Sequence, residues 1–204
     1  MIRYDDEYYE TVKSNCVANV LSYGMKEDAD LQIVSFKLFP TKTDIVFKYK
    51  GNEFNVESPL LGDFNVYNLA AGMLSALALG FSLESILSKI KNISIDGRLV
   101  VLNTDTPYYV MVDYAHTPNG ITKLLEFVHT LDIKRSIVVI GQAGERDYLK
   151  RPKVGEVVVK NATHAIFTYE DPRSEDPQKI CEDIIADVKD SYNNYEVVID
   201  RREA

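Results

Sequence analysis

The chain has 204 residues, between one large domain and two small ones, and two domains are expected. Its 23 Lys and Arg stand against 31 Asp and Glu, a formal net charge of -8, and the cations form no run that could track a phosphate backbone. Nucleic acid is therefore excluded as an expected partner. The longest apolar stretch, LAAGMLSALALGF from Leu69, is too short to span a bilayer, so neither a membrane partner nor a location outside the cytoplasm is expected.

In chain order, DDEYYETVKSN has a helical pattern, and the β-type runs VANVLSYG, LQIVSFKLF, TDIVFKYK and EFNVESP follow, separated by Gly, Asp and Asn turns. These predict an antiparallel piece. From Asn65 to about Leu79 the small residues and leucines repeat at helical spacing, and SLESILSKIKNI opens a second helix with Ser82 as its N-cap. Cys16 and Cys181 lie far apart, outside CxxC or Cys/His ligand spacing, each among residues that read as helical, and ordinary reduced thiols are expected.

After SIDGR the pattern changes. From Val110 the apolar runs YVMVDYA, SIVVIGQ, AIFTYED and EVVID alternate with helical segments that begin near Pro118, Pro152 and Pro177, where a proline at the first turn loses no hydrogen bond. The alternation predicts an α/β fold: a mostly parallel, Rossmann-like sheet flanked by helices, preceded by antiparallel strands plus helices. The boundary is expected near residues 94–98.

In such sheets ligands sit beyond the carboxyl ends of the strands. Those ends read Asp113-Tyr114-Ala115-His116-Thr117-Pro118, Gly141-Gln142-Ala143-Gly144-Glu145-Arg146-Asp147 and Glu170-Asp171-Pro172-Arg173, and are expected to share one crevice. Each group also has a plain structural use. Asp113 and Thr117 could cap the next helix, and His116 could be a satisfied polar residue. GQAGERD lacks both GxGxxG and P-loop spacing, and Arg146, Lys150 and Arg151 could be a solvated helix start, although cations there oppose the helix dipole. Arg173 could pair locally with Glu175 or Asp176.

The stretches LLGDFNVYNLAAGMLSALALG, DGR, VDYAHTPNGI, IVVIGQAGERDYLKRPKVGEVVVKNA, FTYEDPRSEDP and IDRREA, in this order and at these intervals, resemble the Mur ligases, most of all their tripeptide-synthetase (MurE-type) branch. The resemblance covers nearly the whole chain. It implies the latter part of a central ATP-binding domain, residues 1–96, followed by most of a C-terminal Rossmann-like domain, residues 97–204. It implies an ATP-dependent, ADP-forming ligase of peptidoglycan synthesis. The substrates would be small molecules: a UDP-muramoyl-dipeptide, ATP with Mg²⁺, and an incoming diamino acid.

Residue by residue, the resemblance assigns Asn65 and Asn68 to the adenine of ATP, an amide being able to donate and accept. It gives Arg98 a nucleotide phosphate, Asp113 the ribose hydroxyls, and His116 a place near the phosphates. Arg146, Asp147, Lys150 and Arg151 would order an interface and the acidic substrate. EDPR stands where the family has DNPR, whose arginine grips a carboxylate of the incoming amino acid; this assigns Arg173, with Asp171 beside it, to that amino acid. Asp171 replaces the usual Asn and adds negative charge. Retention of the arginine favours meso-diaminopimelate or a similar diamino acid over lysine. No P-loop lysine, carbamylated lysine or metal-binding pair is recognised in these residues and the C-terminal motif of the family is not reached, so a fragment, inactive alone, is expected. The competing readings are a non-catalytic nucleotide or amino-acid binding module, and a folylpolyglutamate or cyanophycin synthetase-like ligase.

Overall fold

The computed structural model describes residues 1–102 and 106–204. By contact they divide into two compact units, Met1–Asp113 and Tyr114–Ala204.

The first unit is built on a five-stranded sheet of order β1-β2-β3-β4-β5: β1 Ile2–Arg3, β2 Ser22–Gly24, β3 Leu31–Leu38, β4 Thr43–Tyr49 and β5 Asn52–Ser58. The antiparallel expectation holds for β3 to β5, whereas β1, β2 and β3 run parallel. Sequence alternation shows directly in β4, where Thr43, Ile45 and Phe47 are buried and their neighbours are less so. β4 and β5 join through a two-residue turn, Lys50-Gly51, both with positive φ, the geometry that matches strand twist.

The run VANVLSYG is mostly irregular, with strand only at Ser22–Gly24, and the first helix, α1, is confined to Tyr9–Ser14. Cys16 therefore lies beyond the helix and is exposed, contrary to the helical expectation. The short β1 was not expected from its two residues; the Asp5 carboxylate anchors the chain after it, accepting the amides of Met25 at 2.8 Å and Lys26 at 3.2 Å.

Helix α2, Asp63–Ala78, buries Val66, Leu69, Ala70, Met73 and Leu74, the three-and-four spacing of one face. These residues pack with Leu31, Ile33, Ile45, Phe47 and Val56 of the sheet and with Ile90 of α3, Leu83–Ile90. Ser82 caps α3 as expected, its side chain accepting the Ser85 amide at 3.2 Å. A fully buried Phe47 is worth about 2–3 kcal/mol in this core. The unit closes with an antiparallel ladder of β6, Val100–Leu102, and β7, Val110–Val112.

The second unit alternates α4 Pro118–His129, β8 Ile137–Ile140, α5 Arg151–Asn161, β9 His164–Phe167, α6 Pro177–Ile185 and β10 Tyr195–Val197. Its sheet has the order β10-β9-β8, all parallel. The three helices carry proline in their first turn, as the sequence indicated. Thr117 caps α4 through the Gly120 amide, and Asp176 caps α6 through that of Gln178. The core joins Ile121 and Leu125 of α4, Val154 and Val158 of α5, Ala165 and Phe167 of β9, and Ile180 and Ile184 of α6. α/β architecture with a mostly parallel sheet is thus what the chain adopts. Among the described residues no helix is long and apolar enough to cross a membrane.

Candidate functional site

Beyond the carboxyl ends of β8 and β9 lie two loops, residues 141–150 and 168–176, brought side by side because their strands are hydrogen-bonded neighbours. The Gly144 amide donates to the Asp171 carbonyl at 2.7 Å, and a Cβ at Gly144 would overlap the Pro172 carbonyl, so only glycine permits this approach. Further along, the Glu145 carboxylate accepts the Ser174 hydroxyl and the Ser174 amide, and the Glu175 carboxylate accepts the Glu145 amide. Both loops hold a non-glycine residue in the left-handed region, Glu145 with φ 54° and Arg173 with φ 52°. Such backbone persists only where its surroundings impose it.

Arg151 bonds to both loops. It is only 1% exposed, which rules out a solvated helix start. Its Nη1 donates to Glu175 Oε2 at 2.8 Å and to Asp183 Oδ2 at 3.0 Å; its Nη2 donates to Glu175 Oε1 at 3.0 Å and to the Ala143 carbonyl at 3.3 Å. One side chain thus ties the β8 loop, the β9 loop and α6 together. The Arg151 guanidinium, aided by the Glu145 amide, holds the Glu175 carboxyl down at about 2. Burial pulls the Asp183 carboxyl upward, but its contacts with Lys179 and Arg151 outweigh that and leave it below the ordinary range.

The sequence named Arg151 in a basic run and, by resemblance, as one of four residues ordering an interface and the acidic substrate; it named Glu145 only as part of a strand end, and Asp183 not at all. It offered Glu175 and Asp176 as partners for Arg173, but the first is taken by Arg151 and the second caps α6. Arg173 instead faces Asp171, Nε to Oδ2 at 3.6 Å, a long one-pronged contact on an exposed surface. Arg146 is exposed on the opposing loop, and no ion pair reaches it among the described residues. Asp147, exposed, accepts the Leu149 amide at 3.1 Å, capping the 3-10 turn Tyr148–Lys150 that leads into α5. Arg201, after β10, donates to the Tyr169 carbonyl at 3.0 Å and so braces the start of the β9 loop. The structure therefore gathers Arg146, Asp171 and Arg173 on two joined loops.

The remaining candidates divide between the units. Asn65, in the first turn of α2, is buried and donates to the Leu61 carbonyl at 2.7 Å, while its Oδ1 accepts from Asn68 Nδ2 at 3.1 Å. That spends the Asn65 amide on positioning, and leaves the exposed Asn68 Oδ1 as an acceptor suited to an exocyclic amine such as that of adenine. Asp113 does not cap a helix; it accepts the Leu99 amide at 2.7 Å, beside the exposed Arg98. In the expected shared crevice β7 was a neighbour of β8, but among the described residues β7 ladders only with β6. His116, in the second unit, is exposed, with Nδ1 2.9 Å from the Tyr114 carbonyl and its ring edge-on to Tyr114 at 5.1 Å. Among the described residues no three His, Cys, Asp or Glu side chains converge as a metal site.

The family model described as the Mur ligase middle domain matches residues 1–76, and that of the Mur ligase glutamate ligase domain matches residues 97–204. The chain belongs to the Mur ligase family. It is 35% identical over its whole length to the UDP-N-acetylmuramoyl-L-alanyl-D-glutamate--2,6-diaminopimelate ligase of Geobacillus thermodenitrificans, and spans 42% of that relative's length. A solved structure of a ligase of the same name shares 31% identity with a TM-score of 0.60, covering 98% of this Mur ligase chain and 42% of its own. The fold is also that of MurF from Acinetobacter baumannii, at a TM-score of 0.75 and 18% identity over 99% of this chain and 42% of that one.

Proposed function

We propose that this chain is part of an ATP-dependent ligase of peptidoglycan precursor synthesis that adds a diamino acid, meso-diaminopimelate by preference, to a UDP-muramoyl-dipeptide in the cytoplasm. Residues 1–96 would belong to the central domain and residues 97–204 to the C-terminal one. The observation that carries the reading is Arg173. Its guanidinium stands on a braced loop in a fixed backbone conformation, held by one long contact to Asp171, so most of its donors remain for a ligand carboxylate. A guanidinium fork takes a carboxylate through two parallel bonds and so fixes its orientation as well as its charge. Arg146 adds a second cation from the facing loop, and Asp171 an acceptor for an ammonium group.

Asn68, positioned by Asn65, would read the adenine edge; Arg98 would face phosphate, Asp113 a ribose hydroxyl, and His116 the phosphates. ATP, when bound, supplies the phosphoryl group that activates a substrate carboxylate, with Mg²⁺ neutralising phosphate charge. An NMR titration of the 204-residue chain with meso-diaminopimelate and with lysine tests the reading, because lysine lacks the second carboxylate. Shifts confined to the loops around Arg146 and Arg173, at concentrations at least tenfold lower for diaminopimelate, are expected. Equal response to the two amino acids would refute the assignment.

A further inference from the structure

We propose that Arg151 is a positioning residue for Arg173, setting the conformation in which that arginine meets its ligand; in naming the ligand a carboxylate-bearing amino acid, the proposal rests on the function proposed above. The polar partners of Arg151 are Glu175, Asp183 and the Ala143 carbonyl, and that of Arg173 is Asp171, so the coupling runs through the loops. On one side of Arg173, Asp171 is held by the Gly144 amide at 2.7 Å. On the other, Ser174 is held by the Glu145 carboxylate, and Glu175 by the Glu145 amide. Both flanks of Arg173 are thus tied to the short segment Gly144-Glu145. Arg151 fixes that segment from beneath, by its 3.3 Å bond to the Ala143 carbonyl and by its two-pronged grip on Glu175.

The two left-handed residues, Glu145 and Arg173, are the ones this arrangement encloses. Such a backbone is left by a non-glycine residue once nothing imposes it. A guanidinium that is free to swing loses the fixed approach that a two-pronged carboxylate contact requires. The chemistry also explains why the clamp is arginine. A lysine there could keep the charge opposite Glu175 and Asp183, but its single ammonium cannot reach the carbonyl and two carboxylates in the planar fork that all four bonds use. Asp183 on α6 secures the fork to a rigid element, so that the loops are referred to the body of the sheet and not merely to each other.

The test is NMR on the 204-residue chain and its Arg151→Lys and Glu175→Gln variants. Three readouts are taken: amide exchange at Gly144 and Glu145 against Thr168, whose amide bonds to Ile140 within the same sheet; the Arg173 Cα shift; and the meso-diaminopimelate titration. In Arg151→Lys the Gly144 and Glu145 amides are expected to exchange at least tenfold faster with Thr168 unchanged, and the Arg173 Cα shift to move toward the value of an unstructured chain. Glu175→Gln, which alters no buried cation, is expected to do the same more weakly and reads the clamp should Arg151→Lys not fold. Affinity for diaminopimelate should fall at least fivefold in Arg151→Lys. Unchanged Arg173 shift and loop exchange would overturn the proposal, as would acceleration of all three amides by one common factor, which marks a residue that only stabilises the unit. Should the wild-type chain fail to titrate with diaminopimelate, the carboxylate reading of Arg173 falls, while exchange and shift still decide the clamp.

Discussion

Arg151 meets Glu175 in a two-pronged pair, Nη1 to Oε2 at 2.8 Å and Nη2 to Oε1 at 3.0 Å, on the floor of two loops that carry the candidate ligand-binding cations. The pair joins α5 to the segment that leads into α6, so its strength bears on the whole second unit as well as on the loops.

That pair should make the unit acid-sensitive in a definite window. Glu175 is held at about 2 in the folded chain against an ordinary 4.5, so the unfolded chain binds the proton first as pH falls. The stability it contributes is fully present above about 4.5 and is lost as pH drops toward 2. Asp183, also lowered, acts with the same sign. Urea unfolding of wild type and Glu175→Gln should therefore show a gap that is constant near neutrality and closes between these limits. A gap that widens on acidification would contradict the pairing.

Two helical glycines should respond oppositely to alanine. At Gly155, in α5, an added Cβ would collide with the Ile184 carbonyl of α6, whereas at Gly72, in α2, nothing lies within reach. Gly155→Ala should cost roughly 1–3 kcal/mol through forced separation of the helices, despite the better helix propensity. Gly72→Ala should gain about 0.5–1 kcal/mol from that propensity alone. Chemical denaturation of each variant gives the two signs.

Much of this was legible because it is local. The prolines at 118, 152 and 177 and the caps Ser82 and Thr117 marked helix starts correctly, since each effect acts within one turn. Alternation in TDIVFKY gave β4 its buried face for the same reason. What stayed hidden depends on distant partners. Nothing near Arg151 announces that carboxylates 24 and 32 residues later will enclose it, and a basic run at a helix start reads as solvated surface until they do. β8 misleads in another way: IVVI resembles a strand covered on both faces, yet Ile137 and Val139 are 50% and 45% exposed. The brevity of β1 and β6 left too few residues for any period to show.

Asp113 has a structural duty that can be separated from any role toward nucleotide. Its carboxylate accepts the amide of Leu99, a buried residue whose φ is 47°. Asp113→Ala should therefore cost about 1–2 kcal/mol, the loss of a hydrogen bond to an ionised acceptor. Asp113→Asn keeps an acceptor oxygen in place and should cost less than about 1 kcal/mol. Comparing the two by denaturation, and each with ATP by titration, assigns the stability loss and the binding loss to different atoms. Equal destabilisation by both substitutions would show that charge, and not the hydrogen bond to Leu99, is what matters there.

Substitutions at Arg173 separate its backbone from its side chain. With φ at 52° the residue sits where glycine is favoured, so Arg173→Gly should leave the fold as stable as wild type or more so by about 0.5–1 kcal/mol. Arg173→Ala keeps the strain and loses only the exposed Asp171 contact, which should change stability by less than about 1 kcal/mol. Binding should follow a different order. Both variants lack the guanidinium and should lose roughly 1.5–3 kcal/mol of affinity for meso-diaminopimelate, about ten- to 150-fold. Their affinity for lysine, with no second carboxylate to grip, should change by much less. Arg173→Lys should recover only part of the diaminopimelate affinity, because an ammonium restores the charge without the fork. If Arg173→Gly and Arg173→Ala bind diaminopimelate as wild type does, Arg173 is a partner of Asp171 and nothing more.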